Sequence, residues 1–218
     1  MAQFAAARGL QVATHAIGDR AIHDVLEAYQ QAGVSWVRDL RFRIEHVQVL
    51  AEDDLRARRF AELGVLASVQ PTHATSDMPW AGARLGSERL LRAYAWRRLL
   101  DSGARLCAGS DFPVEEPDPR LGLHAAVTRQ DVTQNPPGGF VPQERLTLGE
   151  ALRAFTSDAA YAAFWENQLG TIQTGHLADL TVLGGTLTLD AAPTDLPRRP
   201  VRMTVINGRV VYDGERSR

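Results

Sequence analysis

Short runs of apolar and β-branched residues alternate, over the first three quarters of the chain, with segments whose apolar residues recur at helical spacing. Such runs are typical of buried strands. They predict four strands, at residues 10–14, 42–47, 65–69 and 105–108. Because helical segments follow these strands, the order predicts an α/β fold in which helices pack on the faces of a parallel sheet.

The segments between the strands predict the first helices. One helix should begin at an N-cap on Asp19 and stop at Gly33, because apolar residues between them lie three and four positions apart. After the third strand, residues 71–89 are rich in polar residues, proline and glycine, and we expect a long loop there. A helix over residues 90–100 should follow this loop.

Further helices are predicted after the fourth strand. A proline-rich loop at residues 111–122 leads to a helix at about residues 123–129. Thr147 is followed three positions later by Glu150, which is the capping-box pattern. Another helix should therefore begin at Thr147.

The character of the sequence changes after residue 168. Short strand-like runs follow, and Asn207-Gly208 is a strong signal for a two-residue hairpin turn. We therefore divide the chain into an α/β domain at residues 1–168 and a small β portion at residues 169–218.

Composition narrows the class of protein. Of the 218 residues 44% are hydrophobic, and the net charge of -2 provides no general attraction to nucleic acid or anionic lipid. The single cysteine, Cys107, excludes an internal disulfide framework and fits a reducing compartment. The sequence has neither a signal-peptide pattern nor a run of roughly 20 apolar residues. We expect a cytoplasmic protein that binds neither nucleic acid nor membranes.

Residues able to bind a metal stand at or just beyond the ends of all four predicted strands. His15 follows the first strand and His46 lies near the end of the second. His73 comes after the third strand, and Asp111 after the fourth. Since ligands bind at the carboxyl edge of a parallel sheet, we expect His15, His46 and Asp111 to hold a catalytic divalent metal. Such a metal lowers the pKa of its bound water to about 7, and Asp111 is placed to accept the proton.

The long polar stretch after the third strand offers residues for the substrate. We expect His73, Asp77 and Trp80 to bind it, with simple loop packing as the alternative. Glu45 should point away from His46 and pair with an arginine, for which Arg43 is a candidate.

Five segments, in order, give the chain a resemblance to the C-terminal half of the metal-dependent amidohydrolase superfamily. The resemblance is strongest to the amidohydrolase-3 branch, which includes enzymes like N-substituted formamide deformylase. The segments are HAIGDRAI, RIEHVQ, SVQPTHATSDMPW, CAGSDFPV and LGTIQTGHLADLTVL.

This resemblance implies a fold and a set of site residues. It implies a partial (β/α)8 TIM-type barrel, with strands 5–8 and their helices, and the C-terminal strands of a small β-sandwich. By motif, His15 and His46 match the metal ligands of strands 5 and 6. Asp111 matches the strand 8 residue, with the role of ligand and general base. The implied cofactor is a divalent metal, with zinc favoured.

The chain also departs from the pattern of the family. It contains no HxH pair and no lysine, so it cannot supply the carboxylated lysine that often bridges the metals. Only four barrel strands are predicted, where a closed barrel has eight. Two sheet edges would then be unpaired, and we expect a homo-oligomer or association with a missing N-terminal half.

These observations leave two main hypotheses. The first is a metal-dependent hydrolase of amide-like C–N bonds that acts on a small molecule. The second is a catalytically inactive amidohydrolase fragment that serves as an oligomerising or binding module. A flavodoxin-like binding protein is a weaker third hypothesis, since no glycine-rich phosphate loop follows any strand.

Overall fold

A parallel sheet forms the centre of the structure. The computed structural model describes residues 1–56, 58–189 and 194–216. The strands of the parallel sheet are β1 (Ala13–Ala16), β2 (Arg43–His46), β3 (Leu66–Val69) and β4 (Arg105–Ala108). They pair in the order β1-β2-β3-β4, which makes β1 and β4 the edge strands among the described residues. All three pairings are parallel, which confirms an α/β fold with a parallel sheet.

The four predicted strands are all present, with small shifts at their ends. The fourth has the predicted bounds, whereas the first lies at Ala13–Ala16, three residues later than its pattern begins. Side chains from one face of the sheet, among them Ile44, Ala67 and Leu106, are fully buried against the helices. This burial explains why alternate positions in the strands are apolar.

Helices occupy the segments between and beyond the strands. They are α1 (Ala2–Ala6), α2 (Asp19–Ala32), α3 (Val34–Asp39), α4 (Glu52–Arg56), α5 (Arg59–Leu63), α6 (Pro71–Leu90), α7 (Trp96–Asp101), α8 (Pro119–Thr128), α9 (Leu148–Phe155) and α10 (Ser157–Ala162). The first long helix, α2, begins one residue earlier than a cap at Asp19 requires, because Gly18 takes the N-cap position and Asp19 is already helical. No helix among the described residues combines the length and the apolarity that crossing a bilayer requires.

The prediction of a long loop after the third strand is wrong. Residues 71–90 form helix α6, which begins with Pro71 in its first turn and is interrupted at Gly86, where φ is 74°. Proline in a first turn has the φ that a helix needs and lacks only an N–H that would be unpaired there. The internal Pro79 and the glycines, which normally break helices, concealed the helix. The helix predicted over residues 90–100 is correspondingly confined to Trp96–Asp101.

The C-terminal part follows the prediction more closely. Strands β5 (Leu180–Leu183), β6 (Val201–Ile206) and β7 (Arg209–Asp213) form an antiparallel sheet in the order β5-β6-β7. The turn between β6 and β7 consists of Asn207 and Gly208, both with positive φ, as a tight hairpin requires.

Glu150 joins two parts of the fold. Its carboxylate accepts hydrogen bonds from the N–H and the hydroxyl of Thr147, both at 2.8 Å, so the predicted capping box is confirmed. The same carboxylate accepts from the Arg97 guanidinium of α7 at 2.9 Å. Hydrogen bonds from Arg97, assisted by those from Thr147, lower the pKa of Glu150 to about 2.

This pKa shift predicts a pH-dependent loss of stability. Above pH 4.5, the ordinary pKa of the group, Glu150 is ionised and its stabilisation is complete; it is lost as the pH falls towards 2. We expect Glu150→Gln to lower the free energy of unfolding by about 1 to 3 kcal/mol at pH 7. Urea unfolding at pH 7 and pH 2.5 measures the difference, which should shrink at the lower pH. Glu88→Gln, which removes an exposed ion pair with Arg92, is the control and should change little.

Candidate metal centre

Two histidines and one aspartate from separate elements converge at the carboxyl edge of the parallel sheet. His46 is the last residue of β2, His73 lies in the first turn of α6, and Asp111 follows β4. One ligand atom of each residue lies within 4.8 Å of the other two. His73 Nε2 lies 4.0 Å from Asp111 Oδ2.

Unusual backbone conformations surround this group. His46 and Val47 both have positive φ, at 82° and 50°, and Asp111 has a φ of 59°. A β-branched residue such as Val47 rarely adopts this conformation, and strain of this kind costs about 1 to 3 kcal/mol. These conformations end the regular strand alternation where β2 meets the site.

His15 lies beside the group. Its ring packs edge-on against the ring of His46, with 4.5 Å between centroids, and it is exposed. The ring of His73 is stacked with the ring of His46, with 5.8 Å between their centroids. The sequence predicts His15, His46 and Asp111 as ligands and His73 as a substrate residue; the structure brings His73 into the closest group.

The electrostatics favour a neutral His46 ring. Burial lowers the pKa of His46 from its ordinary value, and the neighbouring His15 and His73 lower it further, while Asp111 opposes them. A neutral imidazole has a free lone pair for a metal, whereas a protonated one does not. The His46 ring therefore keeps this lone pair at pH values where an ordinary histidine begins to protonate.

Unpaired buried nitrogens provide a test of whether a metal fits. His46 Nδ1 and His73 Nε2 are buried and make no hydrogen bond of normal geometry among the described residues, although the Gln70 side chain is near enough to His46 to raise its pKa slightly against the effect of burial. An unpaired buried polar atom costs about 1 to 3 kcal/mol, a cost that a bound cation would offset. Two imidazoles and one carboxylate form a donor set of the kind found in catalytic zinc sites, and a divalent metal therefore fits these residues.

The other predicted substrate residues lie on the same helix as His73. Asp77 accepts a short hydrogen bond from the hydroxyl of Tyr94. Burial and this bond raise the pKa of Tyr94 well above its ordinary value, so the hydroxyl remains protonated. Trp80 has half of its surface exposed. The carboxylate of Asp77 is thus engaged with Tyr94, while the indole of Trp80 is accessible.

A residue that the sequence analysis did not single out contacts the group. The Gln48 side-chain nitrogen lies 3.3 Å from His73 Nδ1, and both side chains are buried. The only available signal was its place in the segment RIEHVQ, two residues beyond His46.

A cleft of about 560 Å³ opens beside the site on the face of the sheet opposite the helices that cover Ile44. Arg43 donates to Glu45 at 2.6 Å within this cleft, which confirms the predicted pair. Asp111 contributes to the lining, together with Gln11, Ser68, Gln70 and Cys107. Ala159, Ala162 and Ala163 also line the cleft, so its surface is mixed, and it adjoins the carboxylate of the site.

Comparisons with known proteins identify the family. Residues 1–212 match the model of the Amidohydrolase family. The chain is similar to Protein LONG AFTER FAR-RED 3 of Arabidopsis thaliana, with 39% identity over 94% of this chain and 34% of that protein. It is also similar to N-substituted formamide deformylase of Arthrobacter pascens, with 30% identity over 94% of this chain and 37% of that enzyme.

A solved structure is similar to this chain in both fold and sequence. The crystal structure of an uncharacterized metal-dependent hydrolase from Pyrococcus furiosus aligns with a TM-score of 0.64 and 35% identity, covering 77% of this chain and 32% of that one. The chain spans about a third of the length of the curated relatives that it matches. The motifs and the matches agree, and the chain belongs to the amidohydrolase family, in its amidohydrolase-3 branch.

Proposed function

We propose that this chain is a metal-dependent hydrolase that cleaves an amide-like C–N bond in a small molecule. The observation that carries the proposal is that His46, His73 and Asp111 each bring one ligand atom within 4.8 Å of the other two. His46 Nδ1 and His73 Nε2 are buried in this group without a hydrogen bond of normal geometry. The similarity to an N-substituted formamide deformylase supports an amide substrate, and the similarity to a metal-dependent hydrolase supports the metal.

The proposed metal is zinc, held by His46, His73 and Asp111, with His15 as a further ligand beside His46. Three protein ligands are typical of a catalytic zinc site, which keeps a position open, and with His15 as a fourth ligand that position would require five-coordinate zinc. When bound, the cation supplies Lewis-acid polarisation of the substrate carbonyl and activation of the attacking water. The His73 ring is buried and the His46 ring is half-buried, so packing restricts their rotation.

Asp111 is the proposed general base. About 40% of its side chain is exposed, so both water and substrate can reach the carboxylate. It takes the proton from the attacking water and passes it to the nitrogen of the departing amine. We place the substituent of the substrate against the exposed indole of Trp80, on the helix that also carries His73 and Asp77.

The edges of the sheet suggest a larger assembly. We propose that β1–β4 are half of a (β/α)8 barrel, formed by residues 1–168, and that residues 169–218 contribute to a β-sandwich. Ile17 and Phe112 follow the two edge strands at the same end of the sheet, and both are exposed. Parallel pairing of β4 with β1 of a second copy would bring these side chains together and cover both edges.

The single cysteine fits the compartment that we propose, the cytoplasm. Cys107 is a buried free thiol, and burial raises its pKa to about 11. It therefore remains a protonated thiol, which reacts slowly at neutral pH.

A second function, a binding module without catalysis, is favoured by one observation. The sequence has no lysine and no HxH pair to complete a two-metal site. A chain that binds zinc but hydrolyses nothing would fit this alternative.

Of three predictions that follow from this function, the first concerns zinc affinity. We expect one zinc per chain, and we expect His46→Ala, His73→Ala and Asp111→Asn each to weaken binding by more than about tenfold, since each removes a ligand. His15→Ala should also weaken binding. Titration calorimetry measures these affinities. His176→Ala, whose ring bonds to Thr171 and Gln173 in the C-terminal part, is the control. Equal affinity in all variants would refute the site.

The second prediction concerns catalysis. The zinc-loaded chain should release formate from an N-alkylformamide. At saturating zinc, which offsets the lost ligand, Asp111→Asn should reduce the rate by about 10²- to 10⁴-fold, because the general base is lost. Coupled detection of formate measures the rate. If the unaltered chain were no faster than Asp111→Asn, the result would support the binding module instead.

The third prediction concerns assembly. Light scattering should give at least twice the mass of one chain, and Ile17→Asp should shift the protein towards a monomer by placing a charge at the edge of β1. Val211→Asp, at an exposed position on β7, is the control and should leave the mass unchanged. A monodisperse monomer of the unaltered chain would contradict the proposed pairing.

A further inference from the structure

Gln48 contacts the candidate metal centre at the ring nitrogen of His73 that is not the one nearest Asp111. Its carboxamide nitrogen lies 3.3 Å from Nδ1 of His73, while Nε2 of the same ring lies 4.0 Å from Asp111. The two ring nitrogens of His73 therefore face different groups, and the hydrogen bond at one nitrogen determines which of them carries the proton.

The backbone fixes Gln48 firmly in this place. Its carbonyl accepts from the N–H of Tyr94 at 2.6 Å, and the next residue, Val49, donates to the carbonyl of Ile17 at 3.0 Å. The carbonyl of Tyr94 in turn accepts from the fully buried guanidinium of Arg129. A side chain on a segment anchored in this way delivers its amide to His73 at small entropic cost.

The amide of Gln48 has two orientations with opposite consequences. With the nitrogen towards His73, as described here, the amide donates to Nδ1 and the proton lies on Nε2, facing Asp111. After a half turn of the carboxamide, the oxygen accepts from Nδ1–H, and Nε2 presents its lone pair to the site. Only the second arrangement lets His73 bind a cation through Nε2.

We propose that Gln48 is a positioning residue that sets the His73 tautomer, and that a bound cation requires the carboxamide oxygen of Gln48 at Nδ1. The proposal rests on the proposed function for the identity of the ligand. It assigns a role to a buried polar side chain outside the group of candidate ligands. Metal-binding histidines are commonly oriented by a hydrogen bond to their second ring nitrogen, and Gln48 is placed to make that bond.

Two substitutions separate this role from simple packing. Gln48→Glu offers only acceptor oxygens and should hold His73 as the Nδ1–H tautomer. Gln48→Leu keeps a similar volume but offers no hydrogen bond. Gln130→Leu, at a side chain that bonds to the carbonyls of Gln134 and Pro136, is the matched control for loss of a glutamine.

The first readout is the tautomer of His73, measured by ¹⁵N NMR of the metal-free chain at pH 8. We expect Nδ1–H in Gln48→Glu and Nε2–H in the unaltered chain, whereas Gln48→Leu should lose the defined preference. Identical His73 signals in all three proteins would overturn the proposal. Because no metal is present, this result stands even if the chain proves unable to bind zinc, in which case the proposed function alone fails.

The second readout is zinc affinity. Gln48→Leu should weaken zinc binding by about 10- to 100-fold, whereas Gln48→Glu and Gln130→Leu should bind at least as tightly as the unaltered chain. Thermal unfolding of the metal-free variants checks that each folds. If folded Gln48→Leu bound zinc as tightly as the unaltered chain, the positioning role would be refuted. Rescue by Gln48→Glu is the result that packing alone does not explain.

Discussion

The parallel pairing of β1 to β4 brings the end of every strand to one edge of the sheet, and the candidate site depends on that alignment. His46 and Asp111 are 65 positions apart in the sequence, yet they meet because β2 and β4 point the same way. Antiparallel pairing of either strand would place its polar end on the far side of the molecule. The buried positions at Ile44, Ala67 and Leu106 fix the register, since a shift of one residue would expose them.

At this edge of the sheet, the buried nitrogens of His46 and His73 are energetically costly features of the structure. Rings that leave nitrogens unpaired are costly, and positive φ at His46 and Val47 adds to the cost. A cation bound between the rings and Asp111 would offset both. Gln48 contacts the His73 ring, and its carbonyl accepts a hydrogen bond from the N–H of the buried Tyr94. The hydroxyl of Tyr94 in turn donates to Asp77.

The sequence predicted features whose cause is local and missed those whose cause is tertiary. The capping box at Thr147 and the hairpin at Asn207-Gly208 depend on a few neighbouring residues, and the structure contains both. The sequence did not predict helix α6, because Pro79 and Gly86 normally interrupt helices and the packing that stabilises this helix is not visible in the sequence. The place of His73 beside His46 depends on where that helix begins, and the contact from Gln48 has no sequence signature.

X-ray absorption spectroscopy of the zinc-loaded chain tests the central claim most directly, because it identifies the atoms around the ion. The account predicts two or more imidazole nitrogens at about 2.0–2.1 Å and at least one carboxylate oxygen. It also predicts that the imidazole signal decreases when His73 is replaced by alanine. A shell without imidazole, or a shell that this replacement leaves unchanged, would contradict the account.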